Sequence, residues 1–180
     1  MPEQLMPQLV MQRDDLEDLP PIALPDGYTL RAYRDGDGEH WVTILNESFH
    51  TTWAVEDFLR IMLDDPSFLP ERIIFARDPS GVPCAVAAAY RNAQYPEHGY
   101  LHYVGCHPAH AGKRLGWAVS LACLYRFREE GCRRVVLQTD DFRLPAIKTY
   151  LRLGFHPVIV HENQHSRWAH VYEALTMEAS

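Results

Sequence analysis

The sequence predicts an α/β domain in which a mixed sheet is flanked by helices, and three observations carry that reading. Strand-like and helix-like segments follow one another in the order β, α, α, β, β, β, α, β, α, β, α, a succession that covers a sheet with helices. Two apolar runs, 72–77 and 82–90, are joined by Asp78-Pro79-Ser80-Gly81, the residue types of a hairpin turn. A strand at 100–107 leads through a glycine-containing turn into a long helix that is apolar on most of its faces and is therefore buried.

In chain order, residues 1–27 hold Pro2, Pro7, Pro20, Pro21 and Pro25 among the acids Asp14, Asp15, Glu17 and Asp18, with apolar residues only at intervals. They read as an extended arm, closed by the Pro25-Asp26-Gly27 turn and free to lie on the body or on a partner subunit. The remaining 28–180 form one domain. Tyr28 to Arg34 roughly alternates and makes a first strand. Asp37 precedes a helical face of Trp41, Ile44, Leu45 and Phe49, and Val55 to Leu63 gives a second helix that Pro66 ends. The hairpin follows, and then the strand at 100–107, cut off by Pro108. The buried helix runs from Gly112 to Glu130 and stops at Gly131. Arg133 to Thr139 is a strand. Pro145 suits a first helical position, and Ile147, Tyr150, Leu151 and Gly154 share a face at i, i+3, i+4, i+7. Pro157 to His161 is a last strand, and Ser166 to Leu175 a C-terminal helix.

Composition narrows the function. With 47% apolar and 23% charged residues the chain can bury a sizeable core, and 180 residues suit one domain with a short appendage. A net charge of −7 argues against a nucleic-acid surface, which needs Lys and Arg along phosphates, and suits a cationic small molecule. Basic residues nonetheless gather at Lys113 and Arg114, Arg126 and Arg128, and Arg133 and Arg134. Cys84, Cys106, Cys123 and Cys132 form no C-x-x-C pair and read as buried free thiols in a reducing, cytoplasmic setting. No apolar run reaches membrane-span length, and no histidine cluster outside His161 and His165 has metal-ligand spacing, so neither membrane nor metal is expected.

Chemistry concentrates in Leu101 to Tyr125. A helix entered through Ala111-Gly112-Lys113-Arg114-Leu115-Gly116 offers unpaired backbone N–H groups and a positive dipole end to a pyrophosphate, while the same glycines would equally let a helix pack tightly on its strand. The series from this turn to Tyr150-Leu151-Arg152-Leu153-Gly154-Phe155 resembles the GNAT (Gcn5-related N-acetyltransferase) superfamily over about Tyr28 to Val160, nearest to the bacterial mycothiol-synthase-like acetyltransferases. The family turn usually reads Arg/Gln-x-x-Gly-x-Gly/Ala. Here Ala111 stands first, Arg114 takes the place of a glycine, Gly116 matches, and Trp117 is unusual.

The resemblance implies a mostly antiparallel twisted sheet with a splayed central strand pair, acetyl-CoA as co-substrate without metal, and direct transfer to a primary amine of a small molecule or peptide. It implies that Ala111 to Gly116 cradle the pyrophosphate, that the Val104 backbone holds the acetyl carbonyl and the Cys106 backbone the pantetheine arm, and that a bulge near Gly105 exposes those groups. Tyr150 falls where a general acid protonates the CoA thiolate. His102, two residues before Val104 and hence on the same face of a regular strand, is the candidate base, an arrangement similar to that of serotonin N-acetyltransferase. A core tyrosine and a satisfied core histidine are the plain readings of the same residues. Glu47, Asp140 and Asp141 are alternative bases, Asp141 equally a helix cap. Asn46, Glu47, Phe49, Trp53 and Tyr90 are the expected acceptor-pocket residues, and Arg143 stands where relatives often have Asn. A non-catalytic acyl-CoA-binding module and a nucleotide- or phosphate-binding protein stay open beside this reading, as does a homodimer.

Overall fold

The computed structural model describes residues 5–177. Its strands are β1 (Leu9–Arg13), β2 (Thr29–Ala32), β3 (Ile73–Arg77), β4 (Pro83–Tyr90), β5 (Gly99–Cys106), β6 (Val135–Thr139) and β7 (His156–Val158). Its helices are α1 (Gly38–Phe49), α2 (Val55–Phe58, continued by a π-helical turn over Leu59–Leu63), α3 (Leu115–Glu129), α4 (Leu144–Arg152) and α5 (Gln164–Met177). The strands form one sheet in the order β2-β3-β4-β5-β6-β1-β7, antiparallel throughout except for the β5–β6 pair.

Side-chain alternation along the strands divides the core. Ala85, Ala87 and Ala89 of β4 face α3, where Val119, Leu124 and Phe127 are buried, while Val86 and Ala88 face α1 with Trp41, Ile44 and Leu45. The alanines let both layers approach closely, and glycines do the same on β5. A Cβ on Gly99 would lie 2.5 Å from Phe127, and one on Gly105 2.5 Å from Leu45. These glycines are packing residues of β5. Helix α3 starts at Leu115, three residues later than its sequence pattern suggests, because Gly112 and Arg114 both take left-handed backbone angles, φ 77° and 59°.

The expected arm needs correction at Leu9–Arg13. These residues are an inner strand: β1 pairs with all five residues of β6 on one side and with β7 on the other. Leu9, Val10 and Met11 are buried on both faces of the sheet, so they read as a short unbroken apolar run with no alternation to mark a strand. Arg13 adds a hydrogen bond to the carbonyl of Leu153, tying β1 to the end of α4. Beyond Arg13 the segment to Gly27 is irregular and follows the body. Its Leu16 is buried, and Tyr125 of α3 donates to the carbonyls of Leu19 and Pro20. Helix α5 is fixed to the same region, since buried Gln164 donates to the Gln8 carbonyl and Arg167 to that of Pro7.

Candidate active site

Strand β5 has two unlike edges. Toward β4 it is paired from Tyr100 to Cys106, whereas toward β6 only Gly99 and Tyr100 pair, with Val135 and Val136. From Leu101 onward the two parallel strands diverge, which is the splay the sequence resemblance implies. The bulge lies at Tyr103 rather than at Gly105: three steps on β5, from His102 to Gly105, oppose two on β4, and Tyr103 has φ 50°. This extra residue corrects the expectation that His102 and Val104 share a face. His102 lies against the rings of Tyr90, Tyr100 and Tyr103 on the α1 side, and Val104 packs with the α3 side.

One cavity follows the open edge of β5 from Val104 and Cys106 to Gly112, Arg114, Leu115 and Gly116 at the start of α3. The first N–H groups of a helix have no partner within it, and Leu115, Gly116 and Trp117 at the start of α3 line this cavity. A Cβ on Gly116 would meet no atom within 4 Å, so the position is glycine for a reason other than packing against protein. Arg114 keeps the left-handed backbone that a glycine would supply and lays its guanidinium 5.2 Å from the Trp117 ring. Lys113 does not line the cavity; its ammonium stands 5.8 Å from the ring of Tyr28, whose hydroxyl is 2.9 Å from Nδ1 of His110. Burial pushes the Cys106 thiol up to about 11, so it is protonated at neutral pH.

A second cavity lies between β5, β6 and the start of α4, lined by His102, Gln138, Asp140 and Arg143 among others. Val104, Ala146 and Tyr150 line both cavities. Tyr150 comes from the buried face of α4, with its ring against Phe155. Burial, its largest influence, holds its phenol above the ordinary value, with the charge of Arg143 acting in the opposite sense. His102 is pushed the other way: burial lowers its imidazole to about 4, so the ring is neutral at pH 7 and only a weak base.

The expected acceptor residues divide. Phe49 lines the second cavity. Tyr90 stands behind His102 and donates its hydroxyl to Asp65, and Trp53 stacks on Trp41 and meets Tyr103 edge-on. Asn46 is spent on its own loop: its amide donates to the Trp53 carbonyl, and its oxygen accepts from Thr51 and from the Trp53 N–H. Glu47 is exposed and lines neither cavity. Asp141 pairs with Arg167 at 2.6 Å and does not cap α4, whose N-cap is Arg143. Asp140 is the carboxylate that lines the cavity, accepting from Gln8 and Arg143. Gln8, Tyr100 and Gln138, which the sequence does not single out, line it too, and Tyr100 donates to Gln138 at 2.8 Å. Tyr100 carries a signal in its spacing from His102; Gln8 and Gln138 carry none.

The open edge of β5, the glycine turn at the start of α3 and Tyr150 thus meet around two adjoining cavities. The model of the acetyltransferase (GNAT) family matches residues 38–155, and the chain belongs to this family. It is similar to the mycothiol acetyltransferase of Arthrobacter sp., 32% identical over 150 residues, which covers 77% of this chain and 45% of that one. It is 28% identical to that of Thermomonospora curvata over 155 residues, 82% of this chain and 51% of that one. The chain thus spans about half the length of these curated relatives. Among solved structures it is similar to a GCN5-related N-acetyltransferase from Sphaerobacter thermophilus, with TM-score 0.68 and 25% identity over 83% of this chain and 48% of that one.

Proposed function

We propose that this chain moves an acetyl group from acetyl-CoA to a primary amine of a small molecule or peptide, directly and within a ternary complex. The observation that supports it best is that Tyr150 lines both the cavity along the open strand edge and the cavity beside His102. A thioester entering by one and an amine entering by the other meet at Val104 and Tyr150.

The N–H groups at Gly112 to Gly116 hold the pyrophosphate, Cys106 pairs with the pantetheine through its backbone, and the Val104 N–H takes the acetyl carbonyl oxygen. The amine nitrogen attacks the carbonyl carbon, and the oxyanion that forms stays on the Val104 N–H. When the carbon–sulfur bond breaks, the thiolate takes the phenolic proton of Tyr150, which burial keeps in place until then. The amine proton goes to His102, directly or through water. No enzyme nucleophile is needed, and the Cys106 thiol stays protonated.

An amine panel assayed for free CoA tests this reading. Release with at least one amine, and initial-rate lines that intersect when both substrates are varied, are the expected results. Acetyl-CoA binding without release across the panel would support the non-catalytic module, and stabilisation by ATP or NAD equal to that by CoA would support the phosphate-binding reading.

A further inference from the structure

Arg143 stands where the family resemblance leads to an asparagine, and it lines the cavity beside His102. It occupies the N-cap of α4 without capping it, and its side chain instead extends into the cavity beside His102. Three contacts fix the guanidinium. Nε donates to Asp140 at 3.0 Å, and the group stands 4.2 Å from the ring centre of Phe49 and 5.5 Å from that of Phe142. Asp140 is held in turn by Gln8 at 2.9 Å and is almost fully buried.

The atom used by Asp140 is the important detail. An arginine that served only to neutralise a buried carboxylate would satisfy it best with two parallel N–H groups. Here Nε makes the contact, and the fork formed by Nη1 and Nη2 is left for another planar anion. The site lies in the acceptor cavity and not in the one along the cradle. Arg143 is seven residues before Tyr150, two turns of one helix, which is roughly 10 Å along its axis. The charge of Arg143 is felt at the Tyr150 phenol. On a chain of net charge −7 an anionic acceptor is repelled overall, so its binding needs a local, oriented cation of this kind.

We propose that Arg143 is the specificity-determining residue of the acceptor cavity and selects primary amines that carry a carboxylate, gripping it with Nη1 and Nη2 while the amine lies at Val104 and Tyr150. This rests on the transfer reading above, but its test needs no turnover. N-acetylglycine, N-acetyl-β-alanine and N-acetyl-γ-aminobutyrate, which resemble products with different spacers, are titrated by calorimetry into the CoA-loaded protein beside their carboxamides. At least one carboxylate should bind about tenfold or more tighter than its amide, as a charge-assisted pair requires. Arg143→Gln should close that gap and leave CoA affinity unchanged. Arg143→Lys, which keeps the charge and loses the fork, should narrow it, and decides the matter should Arg143→Gln not fold. Equal binding of acids and amides, binding by no acid of the series, or a gap that survives these substitutions overturns the proposal. A silent amine panel with the gap intact would instead count against acetyl transfer.

Discussion

The two edges of β5 differ as a wall differs from a doorway. Against β4 the strand is paired almost to its end and filled by small side chains, and Gly105 there is glycine because Leu45 occupies the space of a Cβ. Against β6 the pairing stops after Tyr100, and Gly116, across the gap, is glycine with nothing beside it. The same residue type thus stands in a filled place at Gly105 and in an open one at Gly116. The gap is held open by paired flanks: β5 rests on β4, and β6 rests on β1 through five residue pairs. Substitutions on the flanks should therefore cost stability, and those in the gap binding or turnover.

The largest effect should come from removing a flank. A chain starting at Asp26 loses β1, and Leu9 and Met11, both fully buried, would each cost about 2–5 kcal/mol if merely cut to alanine. That sum is comparable with the whole stability of a domain, roughly 5–15 kcal/mol. The truncated chain should show no cooperative thermal transition; a wild-type transition would make β1 an appendage after all.

Within the gap, Tyr150→Phe removes one oxygen and leaves the packing. It should lower kcat by about 10²-fold while acetyl-CoA binds as before. Wild-type turnover with chemistry limiting would return Tyr150 to the core. On the wall, Gly105→Ala forces Leu45 to move in a filled core and should cost about 1–3 kcal/mol in denaturant unfolding. An unchanged midpoint would mean that α1 yields freely.

The smallest effect concerns pH. His102 accepts a proton only when neutral, and burial lowers its pKa to about 4, so the part of the rate that depends on His102 should fall as pH drops through that region, below the titration of the amine itself. The acid inflection belongs near 4, below the ordinary histidine range, and His102→Gln should abolish it. If the inflection survives, Asp140 is the next base to test, since Glu47 lies outside the cavity and Asp141 is held by Arg167.

What the sequence discloses follows from how local each feature is. The hairpin, the turn at Gly112 to Gly116 and the helix carrying Tyr150 are set by neighbouring residues, and all were legible. Strand β1 was not, because an inner strand of five residues shows neither alternation nor length. The bulge was expected two residues late, since nothing in Tyr103 marks a positive φ. Asn46 looked like a pocket residue because the sequence gives no sign that Thr51 and Trp53 use up its amide. Asp140 and Asp141 are adjacent and identical in type, and their burial and partners, Gln8 and Arg143 against Arg167, separate them.

The open edge of β5 leads to the turn at Gly112 to Gly116, and calorimetric titration of Gly116→Asp with CoA tests whether that turn holds the pyrophosphate. The space around Gly116 admits a side chain, so the variant should fold with the wild-type thermal midpoint, and Gly116→Ala serves as the uncharged control. A carboxylate at the helix start competes for the same N–H groups and repels the phosphates. CoA binding to folded Gly116→Asp should be lost; affinity equal to wild type would contradict a cradle at this turn.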